Sequence, residues 1–498
     1  MTQPTVAAEE IIISYGILER TISVQELVAF ANGEGLSRQL SQYAKLLDLS
    51  ETDLEGIRQA LNQPAALNQV ELSQFLYTTQ GETLLDILGE VIQTPTRQSG
   101  SLAIRAAFIL AAADPDQGLT LLNFLMKYPT PGLRIDVGRG LAIAGTVTET
   151  LEQSQQAIAL VNARANVEAQ TVEGDLFATW ILLGNRAPYQ VERRFLPVNS
   201  GDTRPLDATL FLPQPFPQGQ ALPESIPVII ISHGLGDEGA SYAYLANYLA
   251  SQGFAVATLD HPGSNSAQIG DLLSGLSPNL IDAQEFLQRP QDISSLLDTI
   301  DQLALQDPTF RNRLDIQTVG VVGQSFGGYT ALALAGATLT GESLTTSCGP
   351  QLIYLNPSLL LQCQAADVVA EELSLRDERV KAIAVVNPVG SSLFGPAGYG
   401  AIDIPVMMMA ATADTVAPAL VEQIEPFTWL QTRDRYLAMV GNTTHFSVIA
   451  TNPNVDPSIP VPPILLGESP ELAQQYLQTL SLAFFQSHLR QDQRFDAA

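Results

Sequence analysis

Ser325 stands in the run Gly323-Gln324-Ser325-Phe326-Gly327-Gly328, and two later residues, Asp414 and His445, complete a set able to carry nucleophilic chemistry. A serine hydroxyl is a poor nucleophile until an imidazole takes its proton, and the imidazole needs a carboxylate to hold its tautomer and stabilise its charged form. Such a trio would attack an electron-poor carbonyl and pass through a covalent acyl intermediate. The tetrahedral species on that path also needs hydrogen-bond donors for its oxyanion. One is expected from the backbone N–H after the nucleophile, at Phe326, and a second from the loop His233-Gly234-Leu235-Gly236, at Leu235.

These residues can meet only if particular elements hold them. Val319 to Val322 is a β-branched run that enters the Gly-x-Ser-x-Gly turn, and the chain leaves it as an Ala/Leu-rich helix, the strand, sharp turn and helix that a nucleophile elbow requires. Gly323 and Gly327 lack the Cβ atoms that would obstruct so tight a reversal, so Ser325 can be held strained with its hydroxyl exposed. From about 186 onward strands alternate with helices, which predicts a mostly parallel sheet with helices on both faces. An opening antiparallel hairpin is expected at 191–198 and 206–212 through a turn at 199–202, then strands at 226–232, 254–259, 380–387, 405–411 and 436–441, and a closing helix at 470–489. Asp414 follows the strand 405–411 and His445 the strand 436–441, so both sit at carboxyl strand ends, in the chain order Ser, acid, His. Asp403 and Asp434 precede their strands and fall at the wrong end of the sheet. His233 and His261 end earlier strands and His488 lies on the closing helix, which leaves His445 as the base.

Residues 9–185 read as a smaller all-α domain, with capping boxes at Ser23/Glu26 and, more loosely, Ser50/Asp53, and amphipathic runs at 70–78, 81–93, 101–113, 116–127, 135–144 and 148–170. No His or Cys precedes residue 200, so metal sites built on those ligands are excluded from this half. A packing or gating domain is expected here, and 186–498 is expected to be the catalytic domain. No metal or organic cofactor is needed by the chemistry above.

The composition, 46% hydrophobic and 15% charged, is that of a globular protein. The net charge of −28 is spread along the chain without a basic stripe, which argues against nucleic acid and anionic membrane surfaces as partners. No apolar run approaches the roughly 18–20 residues of a membrane span. Met1 to Glu10 has neither the basic nor the apolar region of a signal peptide, so the chain is either cytoplasmic or exported with its signal already removed. Cys348 and Cys363, the only cysteines, are either two inert thiols or a local disulfide. A disulfide would imply an oxidising compartment.

Residues 339–378, inserted between the elbow helix and the next strand, are too apolar for a solvated loop, with Leu352, Ile353, Leu355, Leu359, Leu360 and Leu361 close together. They are expected either to form a lid over an acyl pocket, or to plug the core or dock on the helical domain.

Ile230-Ile231-Ser232-His233-Gly234-Leu235-Gly236, Leu249-Ala250-Ser251-Gln252-Gly253-Phe254 and Gly323-Gln324-Ser325-Phe326-Gly327-Gly328 resemble the platelet-activating-factor acetylhydrolase branch of the α/β-hydrolases, which includes lipase- and cutinase-like esterases. The front, with Tyr15-Gly16-Ile17-Leu18-Glu19-Arg20, is similar to a cyanobacterial group of α/β-hydrolases whose N-terminal domain has no assigned function. The resemblance implies an α/β-hydrolase fold, a small-molecule or lipid ester as substrate, and frequent export, which would suit a bridge between Cys348 and Cys363. Gln324 departs from the His that many relatives carry before the nucleophile. A non-catalytic binding protein on the same fold, or an acyltransferase or peptidase using the same trio, are the alternatives.

Overall fold

The computed structural model describes residues 7–65, 67–170, 176–201, 204–217, 219–369, 371–450 and 463–495. The chain divides into two compact units, Met1–Glu149 with Asp271–Leu280, and Thr150–Gly270 with Ile281–Ala498. The division falls inside the helix Val137–Ala169, upstream of the change at 185 expected from the strand and helix alternation. Among the described residues no helix is long and apolar enough to cross a membrane.

The first unit is helix-rich but not all-α. Strands β1 (Glu10–Tyr15), β2 (Leu18–Ser23), β3 (Ile92–Gln93) and β4 (Gly132–Asp136) form a sheet in the order β2-β1-β4-β3. The β-branched run Ile11-Ile12-Ile13 suits an extended backbone, and Gly16, at φ 59°, makes the tight reversal into β2. β4 then adds parallel to β1, so Ile135 and Asp136, expected to open a helix, are paired in the sheet. The two helices expected at 135–144 and 148–170 are one continuous helix. Ser50 and Asp53 form a full capping box, whereas Ser23 makes no side-chain cap, and the Val24 N–H donates instead to the Glu9 carbonyl. Leu72, Leu85, Ile104, Ala107, Phe124 and Tyr128 lie at the centre of this unit's core.

The second unit is built on an eight-stranded sheet. Its strands are β5 (Tyr189–Ser200), β6 (Arg204–Pro215), β7 (Ile226–Ser232), β8 (Ala255–Leu259), β9 (Leu314–Gln324), β12 (Val380–Val386), β13 (Val406–Ala411) and β14 (Arg435–Val440), with the short pair β10 (Thr338–Leu339) and β11 (Leu373–Ser374) outside it. The order is β14-β13-β12-β9-β7-β8-β6-β5, parallel from β14 through β8 and antiparallel across β6 and β5. Of the expected hairpin turn at 199–202, Asp202 lies outside the described residues. β7 is buried along its whole length, as its unbroken apolar sequence requires of a strand covered on both faces. On one face Leu245 and Leu249 of the helix Ala243–Ser251 and Leu482 and Phe485 of the helix Pro470–Arg490 pack on Ile229, Val256 and Val322. Each such fully buried side chain contributes about 1.5–3 kcal/mol relative to exposure. Phe286, Ile293, Leu296, Leu297 and Ile300 form the buried stripe of the 22-residue helix Glu285–Gln306. This layering brings the carboxyl ends of β7, β9, β12, β13 and β14 to one edge.

Candidate active site

β9 delivers Ser325 into the turn at φ 53° and ψ −115°, a conformation that an L-residue adopts only at a cost of about 1–3 kcal/mol. The surroundings hold it there. The Ser325 N–H donates to the Val386 carbonyl at the end of β12, and its own carbonyl accepts from the amides of Tyr329 and Val389. A Cβ on Gly323 would lie 2.0 Å from the Gly327 carbonyl oxygen, and one on Gly327 would lie 2.0 Å from the Ser232 carbonyl oxygen. The two glycines are therefore required by close backbone approach.

The three residues expected to act together are adjacent in space. His445 Nε2 is 2.8 Å from Ser325 Oγ, and His445 Nδ1 is 2.7 Å from Asp414 Oδ2. The other Asp414 oxygen accepts from the amides of Val416 and Ala417 at 2.8 and 2.7 Å, so the carboxylate is oriented before it meets the imidazole. All three side chains are nearly buried. The rival acid Asp403 is an exposed residue paired with Arg376, and it precedes β13, at the opposite end of that strand from Asp414.

The loop after β7 packs directly on the elbow, because Ser232 pairs with Gly323 in the sheet. A Cβ on Gly234 would lie 3.4 Å from Ser325 Cβ and 2.3 Å from Gln324 Oε1, so any larger residue there would displace the Gln324 side chain. Among the described residues, neither the Leu235 nor the Phe326 amide has a hydrogen-bond acceptor, which leaves two free N–H donors in the segments flanking the Ser325 hydroxyl. His233 Nδ1–H bonds the Gly234 carbonyl at 2.6 Å, while its Nε2 accepts from the His261 amide at 3.0 Å.

Several residues that shape the site carry no chemistry of their own and were not anticipated. The Gln324 side chain donates to the His445 carbonyl at 3.0 Å and accepts from Tyr242 at 3.3 Å. Asn387, at the end of β12, accepts from the Ala411 amide at 2.8 Å and donates to the same His445 carbonyl at 3.4 Å. Glu422, fully buried, accepts six hydrogen bonds, from Asn356, Ser358 and Gln362 of the inserted segment and from Gly390 N–H, Ser391 N–H and Ser391 Oγ beside the elbow.

The inserted segment is made of short helices, Gly341–Ser347, Pro350–Ile353 and Leu359–Gln362, closed at its base by β10 and β11. Cys348 and Cys363 are joined in a disulfide. Ile353, Leu359 and Leu361 are buried, and Leu352 is exposed. Leu352, Leu355 and Leu359 line one wall of a cavity of about 370 Å³ whose other walls include Ser391, Pro396, Leu420 and Trp429.

Residues 7–136 match a family model described as an alpha/beta hydrolase of unknown function (DUF1400), and residues 227–344, from β7 through the elbow helix, match a model of the alpha/beta hydrolase fold. Among solved structures the chain is similar to a dienelactone hydrolase from Anabaena variabilis, at 16% identity and a TM-score of 0.36, over 61% of this chain and 100% of that one. No curated protein matches the chain. A mostly parallel sheet whose central strand ends in a strained serine turn, matched by that fold model over the same stretch, is an α/β-hydrolase fold.

Proposed function

We propose that the protein is a serine hydrolase that cleaves carboxylic esters through an acyl-enzyme. Ser325 attacks the ester carbonyl while His445 takes its proton, and His445 then returns that proton to the departing alcohol. Asp414 holds the imidazole with Nδ1–H toward itself, and the Leu235 and Phe326 amides receive the oxyanion. A water activated by His445 releases the acid. The observation that carries this reading is the strained Ser325 with its hydroxyl 2.8 Å from His445 Nε2 and Asp414 2.7 Å behind. We read the segment 339–378 as a cover over the acyl-binding region, supported by the leucines that wall the cavity and by the tie of Glu422 to Ser391, two residues from the amide that meets the Ser325 carbonyl.

The test is labelling by a fluorophosphonate probe, with the modified peptide identified by mass spectrometry, alongside hydrolysis of p-nitrophenyl esters of graded acyl length. Modification at Ser325 with ester turnover is expected. An unreactive Ser325 in folded protein would instead favour a binding protein with an idle site, and turnover confined to amides or to acyl transfer would move the reaction class.

A further inference from the structure

Below the loop that carries Leu235 lies a second arrangement of serine, histidine and aspartate. Ser232 Oγ is 3.0 Å from His261 Nε2, and His261 Nδ1 is 2.9 Å from Asp292 Oδ2. The distances resemble those of Ser325, His445 and Asp414, but the setting does not. Ser232, His261 and Asp292 are fully buried, Ser232 ends a regular strand, and its hydroxyl oxygen also accepts from Arg289. With Nδ1–H directed at the carboxylate, His261 Nε2 accepts from the Ser232 hydroxyl, so the proton of Ser232 is committed inside the network.

The centre of this network is Arg289. It is fully buried, and among the described residues its donors meet neutral oxygens alone: the His233 carbonyl, Ser232 Oγ at 3.3 Å, Ser264 Oγ at 2.8 Å and Thr330 Oγ1 at 3.2 Å. The nearby carboxylates of Glu285 and Asp292 are each gripped through both oxygens by a different guanidinium, that of Arg204. Two arginines and two acids leave the cluster neutral, yet among the described residues no carboxylate bonds Arg289 directly. Its guanidinium carbon also stands 4.4 Å from the centre of the Phe326 ring. One side chain thus touches both segments that supply the free amides, holding the residue two before Leu235 by its carbonyl and Phe326 by its ring. Burial lowers the guanidinium to about 10, which leaves it charged at neutral pH.

We propose that Arg289 is a positioning residue for the oxyanion site, setting the spacing of the Leu235 and Phe326 amides, and that Ser232, His261 and Asp292 form the strut that braces it rather than a second catalytic centre. The inference rests on the ester-hydrolase reading above. A misplaced donor costs most when charge has developed on the oxygen and little when the neutral ester binds, so the effect belongs in kcat rather than KM.

The experiment is steady-state kinetics on Arg289→Lys, which retains the charge but loses the planar fork, with folding checked by circular dichroism. The expected result is a loss in kcat of roughly 10- to 100-fold with KM within about twofold. The affinity for a trifluoromethyl ketone, which forms an oxyanion on Ser325, should fall by the same factor as kcat/KM. A merely structural role would lower the melting temperature and leave both unchanged at a permissive temperature. Folded Arg289→Lys with kcat within threefold of wild type overturns the inference. Should that variant not fold, Ser264→Ala, which removes the partner of Arg289 Nη1 and otherwise only a bond to Glu285, takes its place, with a several-fold loss in kcat expected and unchanged kcat overturning. Wild-type protein that neither reacts with the fluorophosphonate nor turns over esters refutes the hydrolase reading itself, a result distinguishable from an active enzyme insensitive to Arg289.

Discussion

The side chain of Gln324, the residue immediately before Ser325, donates to the main-chain carbonyl of His445 at 3.0 Å. Nucleophile turn and base loop are thereby joined by a bond that involves neither reacting group. Gln324→Ala should leave the protein folded and lower kcat roughly 10-fold, because Asn387 still holds the same carbonyl at a longer 3.4 Å. Burst-phase kinetics would check it, and an unchanged acylation rate would show that the loop stands without this bond.

Ser325→Ala should abolish ester hydrolysis while preserving the fold, since the lost hydroxyl leaves no core cavity. His445→Ala should be as damaging, because members of such a unit are far from additive, and Asp414→Asn should retain slightly more activity. Asp403→Asn serves as a control, its carboxylate being exposed and paired with Arg376, and should change turnover by less than about twofold. Ser325→Ala activity within tenfold of wild type would sink the assignment.

Stability should depend on pH through buried groups below the site. Burial first, and then the charge of Arg289, hold His233 and His261 well below the usual His value of about 6.5. Their stabilising contribution is fully present above that pH and is lost as pH falls toward their folded values, because the unfolded chain then binds more protons. Each proton contributes up to about 1.4 kcal/mol per pH unit. Asp237 acts in the opposite sense: burial raises its carboxyl from 3.8 to about 6, so between those values the folded chain holds the extra proton. The slope of unfolding free energy against pH, from urea titrations between pH 4.5 and 7, should lose about one proton in His261→Gln and gain about one in Asp237→Asn. Parallel slopes in all three proteins would refute this.

The Glu422 carboxylate fastens the inserted segment to Ser391, and its loss strands buried donors on both sides. Glu422→Ala should cost several kcal/mol in a denaturant titration. Leu355→Trp tests the cavity itself: a bulky ring there should depress hydrolysis of long acyl esters at least tenfold relative to acetate, while fluorophosphonate labelling of Ser325 persists. An unchanged chain-length profile would place the acyl group elsewhere. Reduction of the bond between Cys348 and Cys363, which closes a loop of 15 positions, should cost about 3 kcal/mol.

What could be read in advance was local or set by chain order. The spacing of Gly323 and Gly327 announces the turn at Ser325, and the strands before Asp414 and His445 place both residues at the same edge. Gln324 and Arg289 gave little away, because their partners are distant in sequence: 121 positions separate Gln324 from His445, and 56 separate Arg289 from His233. The same reason hid the N-terminal sheet, in which β1 pairs with a five-residue β4 more than a hundred positions later. Ile135 in isolation fits the apolar face of the helix that follows as well as it fits a strand. Nothing in the neighbours of Glu422 says that six donors from two other segments converge on it.

The two-residue ladder of β10 and β11, Thr338 opposite Ser374 and Leu339 opposite Leu373, brings the start and finish of the inserted segment side by side. A segment that leaves and rejoins its host at one pinch point behaves as a cassette: its ends are already at hairpin separation, so a short turn in place of 340–372 would close without dragging on β9 or β12. Exchanging the cassette would have to answer the groups that meet it on the host, Glu422 and the Ser392 amide that donates to Gln362, while the strands that hold Ser325, Asp414 and His445 stay as they are.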